Sequence, residues 1–295
     1  MSPLHIWLMA ARPRTLPAAV APVLVGTALA ATEGTFKPLT FVAALLGALF
    51  IQVGTNLSND YSDARRGADT EDRLGPVRVT AGGLVPPRQV LVATYVAFGA
   101  AVLAGSYLIA TAGWELLLVG AASILAGVLY TGGPRPYGYE GLGEVFVFLF
   151  FGVVAVAGSY FAQVEELAWE AFALAVPVGF LAAAILVVNN VRDLETDRRA
   201  GKRTLAVRLG RSRARGLYAA LVYGAFLCAP VPWVAGSDAL SGWLLLVLAA
   251  LPIAVPVVRT VRNRTDGPAL NGALARTGLL QLVFCVLLSA GILAS

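Results

Sequence analysis

Two clusters of acidic and amide side chains carry the chemistry available to this sequence. The first reads N-L-S-N-D-Y-S-D over residues 56–63; the second reads N-N-V-R-D-L-E-T-D over residues 189–197. On a helix, Asn56, Asp60 and Asp63 fall at i, i+4 and i+7, and Asn189, Asp193 and Asp197 at i, i+4 and i+8, so each set forms one stripe. Two such stripes facing each other would repel unless a cation lay between them. Magnesium takes oxygen ligands, keeps several waters and is usually shared between one or two carboxylates and substrate phosphates. That suits sparse Asp and Asn better than a closed protein cage would. Lys202 and Arg203, with Arg65, Arg66 and Arg78, then supply cationic donors for phosphate oxygens. The expected site is therefore magnesium plus diphosphate, with Asp60, Asp63, Asp193 and Asp197 as its catalytic carboxylates. Taken singly, each acid could equally be a solvated loop residue paired with an arginine; the repeated pattern argues otherwise.

A third candidate lies at 130–144, a Gly/Pro-rich string more often a turn than a site. Within it Arg135 is flanked by Tyr130, Tyr137 and Tyr139, and a planar guanidinium among aromatics could grip an aryl carboxylate. A role in topology or in the turn is the alternative. Phe146, Phe148, Phe150 and Phe151 follow, readable as cation-stabilising aromatics or as a lipid-facing stripe.

These residues must be positioned by membrane segments. The 295 residues are 58% hydrophobic and only 13% charged, against roughly one-quarter charged in soluble domains. Nine apolar stretches could cross about 30 Å of hydrocarbon, near 15–32, 38–58, 89–112, 114–130, 144–163, 168–190, 214–235, 240–258 and 271–293. Of the 22 Lys and Arg residues, all except Lys37 fall on the side of the N-terminus and the even-numbered loops. The positive-inside rule then puts the N-terminus and the active site on the cytoplasmic side of a cell membrane and the C-terminus outside. The net charge of +5 is thus assigned to topology and not to a nucleic-acid surface. No convincing cleavage pattern follows the first segment, which is expected to stay. Cys228 and Cys285 lie in apolar segments as packing residues, and with His5 as the sole histidine a Ser-His-Asp relay lacks its parts.

The whole chain, 1–295, is expected to be one integral membrane domain, all-α, with the long inward loops 59–88 and 191–213 capping the site. Both begin at the inward end of an apolar segment with Asn followed by acids, which suggests a four-plus-four-plus-one organisation. A transporter would instead place its charges near the midplane in interrupted helices, and a two-Asp intramembrane protease would need neither Asn nor basic partners.

Further strings complete the pattern: A-R-P-R-T-L-P-A-A at 11–19, G-A-D-T-E-D-R-L-G-P-V-R at 67–78, Y-T-G-G-P-R-P-Y-G-Y-E-G-L-G-E at 130–144, and the run from Asn189 on to Gly210. Together with the clusters they resemble the UbiA superfamily of intramembrane aromatic prenyltransferases, over nearly the whole chain, and within it the branch that prenylates 1,4-dihydroxy-2-naphthoate. The resemblance implies a UbiA-like bundle in which Asn56, Asp60, Asp63, Asn189, Asp193 and Asp197 bind two magnesium ions bridging a polyprenyl diphosphate, with Lys202 on the diphosphate. It further implies transfer of the prenyl chain to the naphthoate with loss of carbon dioxide, in menaquinone biosynthesis. Other acceptors of the superfamily, such as 4-hydroxybenzoate or homogentisate, are the alternatives. One departure stands out: the ubiquinone branch commonly carries a further Asp at the position of Gly67, and the next acids here are Asp69 and Asp72.

Overall fold

Prolines set several helix starts in this chain. Their fixed φ and missing N–H suit the first helical turn, and Pro3, Pro17, Pro38 and Pro87 each open a helix. In a computed structural model describing residues 2–68 and 74–295, the described residues form helices and loops without a strand. The principal helices are α1 (Pro3–Ala11), α2 (Pro17–Thr32), α3 (Pro38–Arg65), α4 (Pro87–Ala112), α5 (Glu115–Leu129), α6 (Gly143–Val164), α7 (Trp169–Arg199), α8 (Arg211–Cys228), α9 (Gly242–Asn263) and α10 (Gly267–Leu293). The chain bends by 51° between Pro3–Thr15 and Pro17–Thr32, and within the first of these segments Arg12 is a non-glycine residue in the left-handed region with φ 54°.

By length and apolar composition six of these helices can cross a bilayer, or seven if the bent α1–α2 pair is one span. That is fewer than nine. Helix α5 has only 15 residues, about 22 Å at 1.5 Å per residue, and α8 begins with Arg211, Arg213 and Arg215. The chain is a multi-pass membrane protein.

The two acidic clusters do not begin loops. The apolar stretches end near 58 and 190, yet α3 continues to Arg65 and α7 to Arg199. All six stripe residues therefore stand on the ends of rigid helices. The described parts of the following linkers, with the 3-10 turn Tyr137–Glu140 and the one-turn helix Leu205–Leu209 nearby, contribute Arg78, Tyr139 and Lys202 to the same cavity. Asp69 and Asp72 lie outside the described residues.

Helix α7 is the hub. Of its apolar window 72% is buried, against 22% for α3 and for α4, and Leu174, Val178, Leu181, Val188 and Val191 centre the main core. Close approach there depends on absent side chains: a Cβ on Gly152 would stand 2.7 Å from the Gly179 Cα. Gly152 lies in a π-helical turn, Leu149–Val154, inside α6; such bulges recur at functional sites. A second, smaller core joins Ala10 of α1, Leu57 of α3, Val79 and Val85 of the following linker, and Val90 and Ala97 of α4. This cluster fixes the cover over Asp60.

Candidate active site

The ends of α3 and α7 share one cavity of about 760 Å³, lined by Asn56, Asp60, Asp63, Asn189, Asp193 and Asp197. Burying these groups requires partners, and each cluster has found different ones.

Asp63 is 2% exposed. Its Oδ2 lies 3.6 Å from the Lys202 Nζ and 3.6 Å from an Arg78 guanidinium nitrogen, while Oδ1 accepts the Tyr139 hydroxyl. Lys202 also sits 4.8 Å over the Tyr139 ring, and its backbone N–H donates to the Asp197 carbonyl. The loop after α7 is thereby tied to the end of α3, and the two clusters meet across it. Removing one partner of such a buried charge cluster costs about 3–5 kcal/mol.

Asp60 accepts the backbone N–H groups of Val79 and Thr80, at 3.1 and 2.9 Å, so it pins the linker as well as facing the cavity. Asn56 spends its amide N–H on the Ala11 carbonyl and the Thr15 hydroxyl, and its own carbonyl accepts from Arg12. It thus holds the bend between α1 and α2. Asp193 is gripped through both oxygens by the neighbouring Arg192, itself 2% exposed, which also donates to the side-chain carbonyls of Asn189 and Asn271.

Arg192 and Asn271 contribute to the site without having been singled out in the sequence. Arg192 sits inside the second string beside Asp193 and could have been found there. Asn271, on α10, had no local signal. Asn59 is a third addition: it lies four residues before Asp63, lines the cavity, and accepts from Thr131 at 2.9 Å.

Of the five basic residues expected to meet the diphosphate, Arg78 and Lys202 reach the cavity. Arg65 is exposed and donates to Tyr61, Arg66 donates to the Gly133 carbonyl, and Arg203 is exposed; none of the three lines the cavity. Arg135 is exposed as well, held between Pro134 and Pro136 on the outer side of its turn. Its neighbours Tyr137 and Tyr139 do line the cavity. Tyr137 donates to the Ala126 carbonyl, stacks on Phe146 at 4.0 Å between centroids, and meets Tyr130 edge-on at 5.5 Å. Burial pushes its phenol above the usual range, so it offers a neutral aromatic wall.

Beyond the polar end the cavity is apolar. Phe146, Phe150 and Phe151 line it, while Phe148 packs on Phe180. Val102 of α4 and Leu117 of α5 line it too, yet are 58% and 55% exposed, so the cavity is open on that flank. The chamber joins a charged head to an apolar body that opens between α4 and α5.

Residues 19–292 match the UbiA prenyltransferase family. The chain belongs to that family. It is 43% identical over 288 residues to the 1,4-dihydroxy-2-naphthoate octaprenyltransferase of Mycobacterium tuberculosis, covering 98% of this chain and 96% of the relative. It is 39% identical to the Escherichia coli enzyme of the same name, covering 98% and 95%. Among solved structures, a UbiA homolog from Archaeoglobus fulgidus bound to DMAPP and Mg2+ superposes with a TM-score of 0.69 at 16% identity, covering 98% of this chain and 99% of that one. The likeness shows a shared UbiA fold.

The donor set fits magnesium in a particular way. Among the described residues no three His, Cys, Asp or Glu side chains converge as a metal cage. The cavity instead offers scattered carboxylate and amide oxygens, which leaves a magnesium ion to complete its shell with water and phosphate. A carboxylate oxygen already accepting one hydrogen bond retains a further lone pair for a metal.

Proposed function

We propose that this chain transfers a polyprenyl chain from an allylic polyprenyl diphosphate to 1,4-dihydroxy-2-naphthoate, with loss of carbon dioxide, forming the demethylmenaquinone skeleton of menaquinone biosynthesis. The observation that carries this reading is a single chamber whose polar end gathers Asp63, Lys202, Arg78 and the α7 acids while its body is apolar and open sideways. The names of the similar enzymes supply the acceptor.

In this reading Asp60, Asp63, Asp193 and Asp197, with Asn56, Asn59 and Asn189, hold magnesium, which when bound would neutralise charge on the departing diphosphate. Lys202 and Arg78 bind diphosphate oxygens, so positive charge already stands where negative charge develops. The allylic C–O bond breaks and its electron pair leaves with the diphosphate. Phe146, Phe150, Phe151 and Tyr137 exclude water and turn aromatic faces toward the allylic cation. Tyr137 and Tyr139 flank the naphthoate, whose electron-rich ring forms the new carbon–carbon bond, and the ring carboxylate leaves as carbon dioxide. The lipid product exits between α4 and α5.

The concentration of basic residues at the acidic end supports a cytoplasmic active site and N-terminus. If α5 and α8 also cross, the spans number nine and the C-terminus lies outside. The equivalent packing of α3 on α4 and α7 on α8 supports a four-plus-four-plus-one organisation. Charges at one end of continuous helices speak against a transporter, in which they lie at midplane.

The test incubates membranes containing the protein with magnesium, labelled prenyl diphosphate and either 1,4-dihydroxy-2-naphthoate or 4-hydroxybenzoate. Labelled product and released carbon dioxide are expected with the naphthoate only. Product from 4-hydroxybenzoate alone would overturn the assignment, and activity undiminished by chelation would remove magnesium from it.

A further inference from the structure

A second cleft, of about 660 Å³, opens between the start of α8 and the end of α9 and is lined by Arg211, Ser212, Arg215, Gly216, Arg259, Arg262 and Asn263. Arg211 and Arg215 share a face of α8 at i, i+4; Arg259 and Arg262 share one of α9 at i, i+3. Four guanidiniums thus converge on a concavity whose lining holds no acid. The acids nearest in the fold are engaged elsewhere: Glu195 with Arg198 and, at 3.5 Å, with Arg211, and Asp266 with Arg264. Arg215 donates to the Arg264 carbonyl, but its Nε is buried without a hydrogen-bond partner. The start of α8 carries no side-chain cap, which leaves its first N–H groups on the same side of the charge balance.

What lies along the helices from this cleft is apolar and exposed. On α8, Gly216 continues at helical spacing through Ala220, Tyr223 and Leu227, the last two 38% and 75% exposed. On α9, Arg259 continues through Pro256 and Pro252 to Leu248, 43% exposed. A cationic mouth at the membrane edge, leading onto two lipid-facing stripes, matches a molecule with an anionic head and apolar tails.

We propose that this cleft binds the phosphate of an anionic phospholipid, with acyl chains lying along α8 and α9. The site is separate from the acidic chamber, yet coupled to it by position: Arg211 donates to the carbonyl of Val191 at 2.9 Å, next in sequence to Arg192. Basic pockets between membrane helices are known recognition surfaces for acidic headgroups.

The experiment uses the full chain in detergent and measures binding and thermal unfolding with phosphatidylglycerol, phosphatidylcholine of the same acyl chains, and inorganic phosphate. Phosphatidylglycerol is expected to bind and raise the unfolding temperature, and the other two are not. The double substitution Arg259→Gln, Arg262→Gln should weaken phosphatidylglycerol about thirtyfold. Gly216→Leu keeps every charge, and a Cβ there meets nothing within 4 Å, so it should block the headgroup without disturbing packing. Arg213→Gln, outside the lining, should leave binding unchanged. Unaltered affinity in the Gly216→Leu protein overturns the proposal even if the double variant fails to fold. Equal binding of phosphatidylcholine, or equal competition by free phosphate, overturns it as well.

Discussion

Asp63 shows how one carboxylate can organise a site. It accepts Tyr139 and faces Arg78 and Lys202 at 3.6 Å each, joining residues from three separate parts of the chain. Asp63→Asn should lower kcat by about a hundredfold or more, the scale of a lost electrostatic stabiliser, measured with saturating prenyl diphosphate. Asp193→Ala should abolish turnover, and it also strands the buried guanidinium of Arg192; Arg192→Gln tests that pairing, because loss of the gripping hydrogen bonds should alter the magnesium dependence as well as the rate. Arg135 makes the contrasting case. Its exposure outside the lining predicts that Arg135→Ala leaves the acceptor KM within about twofold, whereas an interaction with an ionised carboxylate would be worth about 1.5–3 kcal/mol. A large rise in acceptor KM alone would restore it to the acceptor site.

At the level of elements, α6 and α7 meet where neither has a side chain to spare. Gly152→Val would drive a branched Cβ into Gly179 and should destabilise the fold by about 1–3 kcal/mol through overpacking, readable as a lowered unfolding temperature in detergent. The start of α10 offers a gentler test. Asp266 accepts the Ala269 N–H as an N-cap, and Arg264 holds its carboxyl below the usual range. A depressed carboxyl pKa means that the cap's stabilisation is full above the unfolded pKa, near 4, and is lost as pH falls through the lowered value. Asp266→Ala should remove this acid-side dependence.

For the whole molecule the decisive feature is a chamber polar at one end and open on its flank. Val102→Trp with Leu117→Trp should narrow that opening. The expected result is a rise in KM for long prenyl diphosphates that exceeds the rise for a short one, with the polar end unaffected. Equal effects on both would place the tail elsewhere.

Spacing within Asn56–Asp63 and Asn189–Asp197 was enough to put oxygens on stripes, because helical periodicity is local and needs no knowledge of neighbours. Hydropathy located the membrane segments for the same reason, and the strings around the clusters carried the family. What the sequence could not decide was which donors converge. Lys202, Arg78, Arg203 and Arg65 look alike in sequence, yet only the first two reach the chamber, since a side chain's direction follows from how its loop crosses other elements. The hydrogen bonds of Asp60 to the linker, Asn56 to the α1–α2 bend and Asn271 to Arg192 span 19, 45 and 79 residues. Of the nine expected spans, length and apolar composition bear out six, or seven with the bent α1–α2 pair, and leave α5 and α8 undecided, because apolar length measures what could enter lipid, while packing and terminal charge decide how far each helix extends. Only the tertiary structure brings the ends of α3 and α7 to one cavity, because that requires two separate cores, one around α7 and one joining α3 to α1, the linker and α4, which no single segment encodes.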